Sequence, residues 1–174
     1  MVLETHYIQS AKNQFLQYKS LAEKAIAQVP DDKINWQYNP ETNSISIIVK
    51  HLSGNMLSRF TDFLTSDGEK KWRNRDGEFE IEDLTRDQLM TAWNKGWTCL
   101  FNALDGLTAE DISKKVLIRN EVHTVMEAIN RQLTHYASHV GQIIYIAKMI
   151  CDQNWNTLTI PRNASVAFNT KMGL

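Results

Sequence analysis

The stretch from Thr124 to Cys151, TVMEAINRQLTHYASHVGQIIYIAKMIC, reads as one long amphipathic helix, and it constrains the chain more than any other segment. At 100° per residue its apolar stripe holds Met126, Ile129, Leu133, Val140, Ile143, Ile144, Ala147 and Ile150. A helix with so long an apolar face has to bury it against other helices. His135 and His139 are one turn apart and project the same way. His139 falls on a flank of the stripe, His135 slightly further round, and Gln142 beside them. The pair therefore borders a neighbouring element and avoids the most solvated face. Two readings stay open: a two-tooth chelate awaiting a third ligand, or core-edge histidines bonded to backbone or water. Tyr136, Ala137 and Ser138 separate the pair, so the glutamate of an H-E-x-x-H helix is missing and protease chemistry of that kind is disfavoured.

The rest of the chain supplies partners for this helix. Residues 5 to 28 place Ile8, Phe15, Leu16, Ala22, Ile26 and Val29 near helical spacing, which predicts a first helix ending before Pro30. Asp31 to Thr42 is a connecting loop, with Trp36 and Tyr38 expected to pack back onto the bundle. Asn43 or Ser44 caps a second helix that runs to about Leu64, with Ile45, Ile48, Val49, Leu52, Met56, Phe60 and Phe63 as its stripe. Residues 66 to 82 are polar, highly charged and carry two glycines, the composition of a long crossover. A third helix extends from Thr85 through Leu104, burying Leu89, Trp93, Trp97, Leu100 and Phe101. Lys115 to His123 alternates about Asn120-Glu121 and predicts a small β-hairpin before the last helix. After Cys151 periodicity fades, and an irregular tail is expected from about residue 152. The fold class is all-α: one domain over residues 1–174, a four-helix bundle with a long crossover between helices 2 and 3.

Charge and composition narrow the function. Nineteen basic residues are matched by twenty acidic ones, and the net charge of −1 gives no basic field for nucleic acid or an anionic membrane. No run of 18 apolar residues predicts a membrane span, and the N-terminal MVLETHYIQSAKNQF lacks the pattern of a signal peptide. Cys99 and Cys151 are isolated and read as free thiols of a reducing compartment, so a cytoplasmic location is expected. His51, in VKHLSGNM, is the obvious third candidate ligand. On its own helical wheel it lies away from the Leu52–Met56–Phe60 stripe, which reads as a surface or helix-interface histidine. Gly54 on a similar face permits close approach there. His6 and His123 are weaker competitors.

His51 in IIVKHLSGNMLSRFTDFL together with the pair in HYASHVGQIIYIAKM resembles the DinB/YfiT-like superfamily of candidate metalloenzymes. The stretch NSISIIVKHLSGNMLSRFTDFLTSDGEKKWRNRDGEFE is similar, more narrowly, to a bacterial subgroup classed as of unknown function. The resemblance spans about residues 5 to 150. It implies a four-helix bundle holding a divalent metal on one histidine of the second helix and an H-x-x-x-H pair of the fourth, here His51, His135 and His139. It also implies a homodimer, and kinship with thiol-dependent S-transferases that use low-molecular-weight bacterial thiols.

Three neutral imidazoles leave a divalent ion its full charge and an open position, the ligand pattern of a catalytic zinc site, although nickel and iron also accept imidazole. Such an ion brings bound water toward neutrality in pKa and ionises a bound thiol, so hydrolysis by metal hydroxide and transfer by a metal-bound thiolate both follow. No carboxylate stands at a helical offset from the histidines as an evident base, which favours the thiolate route with an exogenous small-molecule thiol. Asn55 and Gln142 orient water, substrate or a ligand imidazole, or else make ordinary interhelical bonds. Arg73 and Arg75 in KKWRNRDGEF either anchor the crossover, with Trp72 packed, or reach over the bundle mouth toward an anionic group. A non-catalytic protein binding a metal or small molecule carries the same features.

Overall fold

The structure is a computed structural model describing residues 2–173. In chain order it comprises α1 (Val2–Ile26), α2 (Ile45–Phe60), α3 (Arg86–Asp105), strands β1 (Lys115–Ile118) and β2 (Glu121–Thr124), α4 (Val125–Cys151) and a short α5 (Ser165–Lys171). The four long helices form the bundle, with α1 packed on α4, α2 on α3, and thinner seams between α2 and α4 and between α1 and α3. Side-chain bonds fix their directions. Tyr7 reaches Asn130 and Gln28 reaches Asn156, so α1 and α4 run parallel. Ser53 bonds to Ala92 and Thr61 to Cys99, so α2 and α3 also run parallel. Asn55 meets Tyr136 while His51 meets His139, so α2 and α4 are antiparallel. The bundle is up-down-down-up, and the connection after α2 has to return along its whole length.

Local chemistry accounts for the helix boundaries. Ser44 caps α2 by accepting from Ile47 N at 3.2 Å. Thr85 with Gln88, and Thr124 with Glu127, form capping boxes at the starts of α3 and α4. Each cap contributes about 1 kcal/mol by satisfying amides that lack an intrahelical partner. Phe15, Trp97 and Tyr136 stack at tilted angles in the centre, with ring centroids 5.7–6.2 Å apart. Gly96 permits the close seam between α2 and α3, because a Cβ there would lie 2.9 Å from Ser53 Cα. No helix among the described residues is long and apolar enough to cross a membrane.

Several expectations shift. Helix α2 stops at Phe60, not near Leu64, because Thr61 turns extended and Asp62 takes a positive φ of 49°. Phe63 then folds back onto Phe60 at 5.2 Å, so the apolar spacing continues although the helix does not. The hairpin forms, but its turn is Arg119-Asn120, one residue earlier than the alternation suggests, with both residues at positive φ. The carboxylate of Asp67 holds that turn by accepting from the amides of Arg119 and Asn120 at 2.9 and 2.8 Å. Tyr38 is 73% exposed and does not pack on the core, although it meets half-buried Trp36 edge-on. Trp72 is likewise exposed. The tail is not wholly irregular: Ser165–Lys171 forms α5, all of it solvent-facing, so its helix rests on local bonds and not on burial.

Candidate functional site

Helix α2 is wrapped more completely than one apolar stripe requires, with thirteen of its sixteen residues buried. Helix α3 covers one side, α4 another, and the short helical turn Asp76–Phe79 of the crossover covers a third. This explains how His51, off the apolar stripe, comes to be buried. It faces the α2–α4 seam, where half-buried His135 and His139 project from consecutive turns. Tyr136 fixes the register of that seam by donating to Asn55 Oδ1 at 2.9 Å. The bond engages Asn55 with Tyr136, although Asn55 also lines the cavity outside the histidines.

The three imidazoles meet through the same atom. His135 Nε2 lies 3.2 Å from His51 Nε2 and 3.1 Å from His139 Nε2. The outer nitrogens decide what those contacts are. Glu78 Oε2, a pure acceptor, lies 2.9 Å from His51 Nδ1, so that nitrogen carries the proton and Nε2 presents a lone pair. Gln142 Oε1 lies 2.8 Å from His139 Nδ1 and fixes the second ring in the same way. A single proton on His135 Nε2 can satisfy only one of two inward lone pairs. A cation satisfies all three nitrogens, and Zn–N bonds of about 2.0–2.1 Å would set tetrahedral N···N edges near 3.3–3.4 Å. The separations present are close to that, so the three histidines can hold a divalent metal.

Burial disfavours protonation of His135 and His139. Burial, reinforced by His139 and His51 and then by Arg59 and Arg73, holds His135 down at about 3. Burial also lowers His139, against the opposing bond to Gln142. For Glu78 burial opposes ionisation, but the bonds from His51 and Arg73 outweigh it and hold the carboxyl below its ordinary value.

Glu78 is the residue that sequence reasoning misses. It sits in the crossover, 27 positions from His51, and no helical offset connects them. Arg73 donates to it from Nε at 2.7 Å and Nη2 at 2.8 Å, and the Arg73 side chain is only 2% exposed. Arg73 therefore lies behind the site, locked to the carboxylate, while Arg75 lies on the cavity rim with its guanidinium 5.1 Å from the Phe79 ring centroid. Gly54 makes room for the arrangement, since a Cβ there would fall 2.1 Å from Glu78 Oε1. A helical glycine facing a polar crossover was the one trace of this contact in the sequence. Cys99 bonds to Thr61 and Cys151 to Gln28, so neither thiol joins the histidines.

The histidines open into a cavity of about 580 Å³, a size suited to a small molecule. Fold and site together define an all-α bundle protein with a three-histidine cluster backed by a buried carboxylate. Residues 3–164 match the model of a family described as "Protein of unknown function (DUF1572)", and the chain belongs to that family. Comparison with curated proteins and with solved structures gives no match.

Proposed function

We propose that the protein is a metal-dependent enzyme of the DinB/YfiT-like kind, with His51, His135 and His139 holding a divalent ion, zinc by preference. The observation that carries this reading is the convergence of three Nε2 atoms, two of them with their tautomers set by Glu78 and Gln142. Structural partners of this sort orient ligand imidazoles and raise their basicity. Held by three neutral imidazoles, a divalent ion would keep its full charge, and it would supply the field that ionises a bound thiol without help from a base.

The residues around the cluster favour transfer of a small thiol over hydrolysis. A hydrolytic reaction calls for a carboxylate or free imidazole placed to accept a proton. Glu78 is engaged by His51 and Arg73, and none of the residues lining the cavity is acidic. Ser138 and Thr134 line the cavity with hydroxyls, which do not serve as bases.

Elemental analysis of protein purified without added metal tests the first half, with one equivalent of ion expected in the wild type and almost none in His135→Ala. Turnover tests the second: the metal-loaded protein is offered low-molecular-weight thiols with electrophiles, and separately esters and amides. Conjugation activity that disappears in His139→Ala, with the helical spectrum retained, supports the transferase. Ester or amide cleavage reverses the choice of route, and tight metal binding without any turnover makes the protein a binding module.

A further inference from the structure

The cavity is far more basic than the chain as a whole, whose net charge is −1. Arg59 enters its wall from α2, Arg73 and Arg75 from the crossover, Arg119 from the hairpin turn and Arg131 from α4. Four separate segments thus bring five guanidiniums to one opening. Two carboxylates stand behind them. Glu78 holds Arg73, and Glu69 Oε2 meets Arg59 at 3.1 Å, Arg119 at 3.0 Å and Arg73 at 3.6 Å. Asp67 is turned to the hairpin amides, and Asp76, 3.7 Å from Arg75, is 97% exposed in its side chain. Two carboxylates against five guanidiniums leave most of the positive charge at this opening unmatched. Buried Arg59 even keeps its Nε without a partner.

We propose that the molecule bound here carries an oxyanion group, a carboxylate or a phosphate, clamped at the rim by Arg75, Arg119 and Arg131. These three differ from Arg59 and Arg73 in being exposed. Phe79 braces Arg75. Arg119 meets Glu69 through Nε, which leaves its terminal nitrogens to make contacts with an oxyanion. Arg131 lies one turn before His135 on α4, so an anion held there extends its other end toward the histidines. That last step rests on the proposed metal site, whereas the anion subsite itself stands without it.

The test is calorimetric titration of the full chain at low ionic strength with malonate and with inorganic phosphate, each before and after metal removal by a chelator. Saturable binding is expected in both states, weakened tenfold or more by Arg119→Gln with Arg131→Gln, and weakened by added salt. Whichever of the two anions binds more tightly assigns the group. Arg75→Gln alone should give a smaller loss in the same direction. Because all three side chains are exposed, the variants keep the wild-type helical spectrum and melting point. The proposal is overturned if neither anion binds, or if the arginine variants bind as wild type does. It is equally overturned if binding vanishes with the metal, since the anion is then a ligand of the ion alone. Failure of the metal reading looks different: no bound ion, with anion binding intact.

Discussion

Replacing Gly54 by alanine should damage the proposed metal site, although the added methyl touches no histidine. In a helix interior this exchange ordinarily stabilises by about 1 kcal/mol. Here the new Cβ would lie 2.1 Å from Glu78 Oε1, whereas ordinary contact begins at about 3.4 Å, so the carboxylate has to retreat by roughly 1.3 Å. Oε1 is the atom that receives Arg73 Nε at 2.7 Å, and Oε2, which moves with it, receives Arg73 Nη2 and His51 Nδ1. Hydrogen bonds to charged groups are worth about 1.5–3 kcal/mol each. Partial loss of three such bonds, offset by the helix gain, predicts a net destabilisation of roughly 2–4 kcal/mol. For a chain of this size that lowers Tm by about 5–15 °C. Metal affinity should fall about 10–100-fold, the usual effect of disturbing a ligand's hydrogen-bond partner. Chelator competition and thermal melts of Gly54→Ala, Glu78→Ala and the double variant form a cycle that isolates the contact. In the Glu78→Ala background the methyl has room, and the glycine exchange should become neutral or stabilising. Gly54→Ala that is stabilising with unchanged metal affinity would refute the seating of Glu78 against α2.

The metal-free protein should lose stability as pH falls from about 6.5 toward 3. Its folded state keeps His135 unprotonated down to about 3, mainly through burial, while the unfolded chain takes up the proton near the ordinary 6.5. Denaturant melts across that window should show a shallower slope for His135→Gln. Gly96→Ala should destabilise by about 1–3 kcal/mol, because the clash is with the Cα of Ser53 and the two helices have to part. Its metal affinity should change less than that of Gly54→Ala, since Glu78 is not displaced.

The elements legible in the sequence are those governed by local periodicity and capping. Helices α3 and α4 begin after the threonines that their capping boxes identify, and the buried Trp93 and Trp97 of α3 follow its expected stripe. The end of α2 was not legible, because Phe63 keeps helical spacing from a turn that only its packing on Phe60 explains. The His135–His139 pair is visible as a spacing, and its flank position correctly marks a seam. His51 is harder to read, since its wheel places it off the apolar stripe. What buries it is a second covering, contributed by residues more than twenty positions away. Glu78 lies beyond reach for the same reason: a contact between a helix and a returning crossover has no period.

That crossover ties the fold to the site. With α2 and α3 parallel, the chain leaving Phe60 has to travel back along the bundle before Arg86, and its path runs over the open side of the α2–α4 seam. A segment in that position cannot be apolar throughout, because it is half exposed, nor can it leave buried charges unpaired. Glu69, Arg73 and Glu78 meet both demands by pairing inward with Arg59, with one another and with His51. The same pairing fixes the tautomer of His51 and sets guanidiniums around the cavity. Removing the charge of Glu78 would therefore strike both roles together, leaving Arg73 buried with its nearest carboxylate oxygen 3.6 Å away on Glu69. The up-down-down-up arrangement thus requires a long return connection over the histidines, and the sequence uses that connection as the site's outer wall.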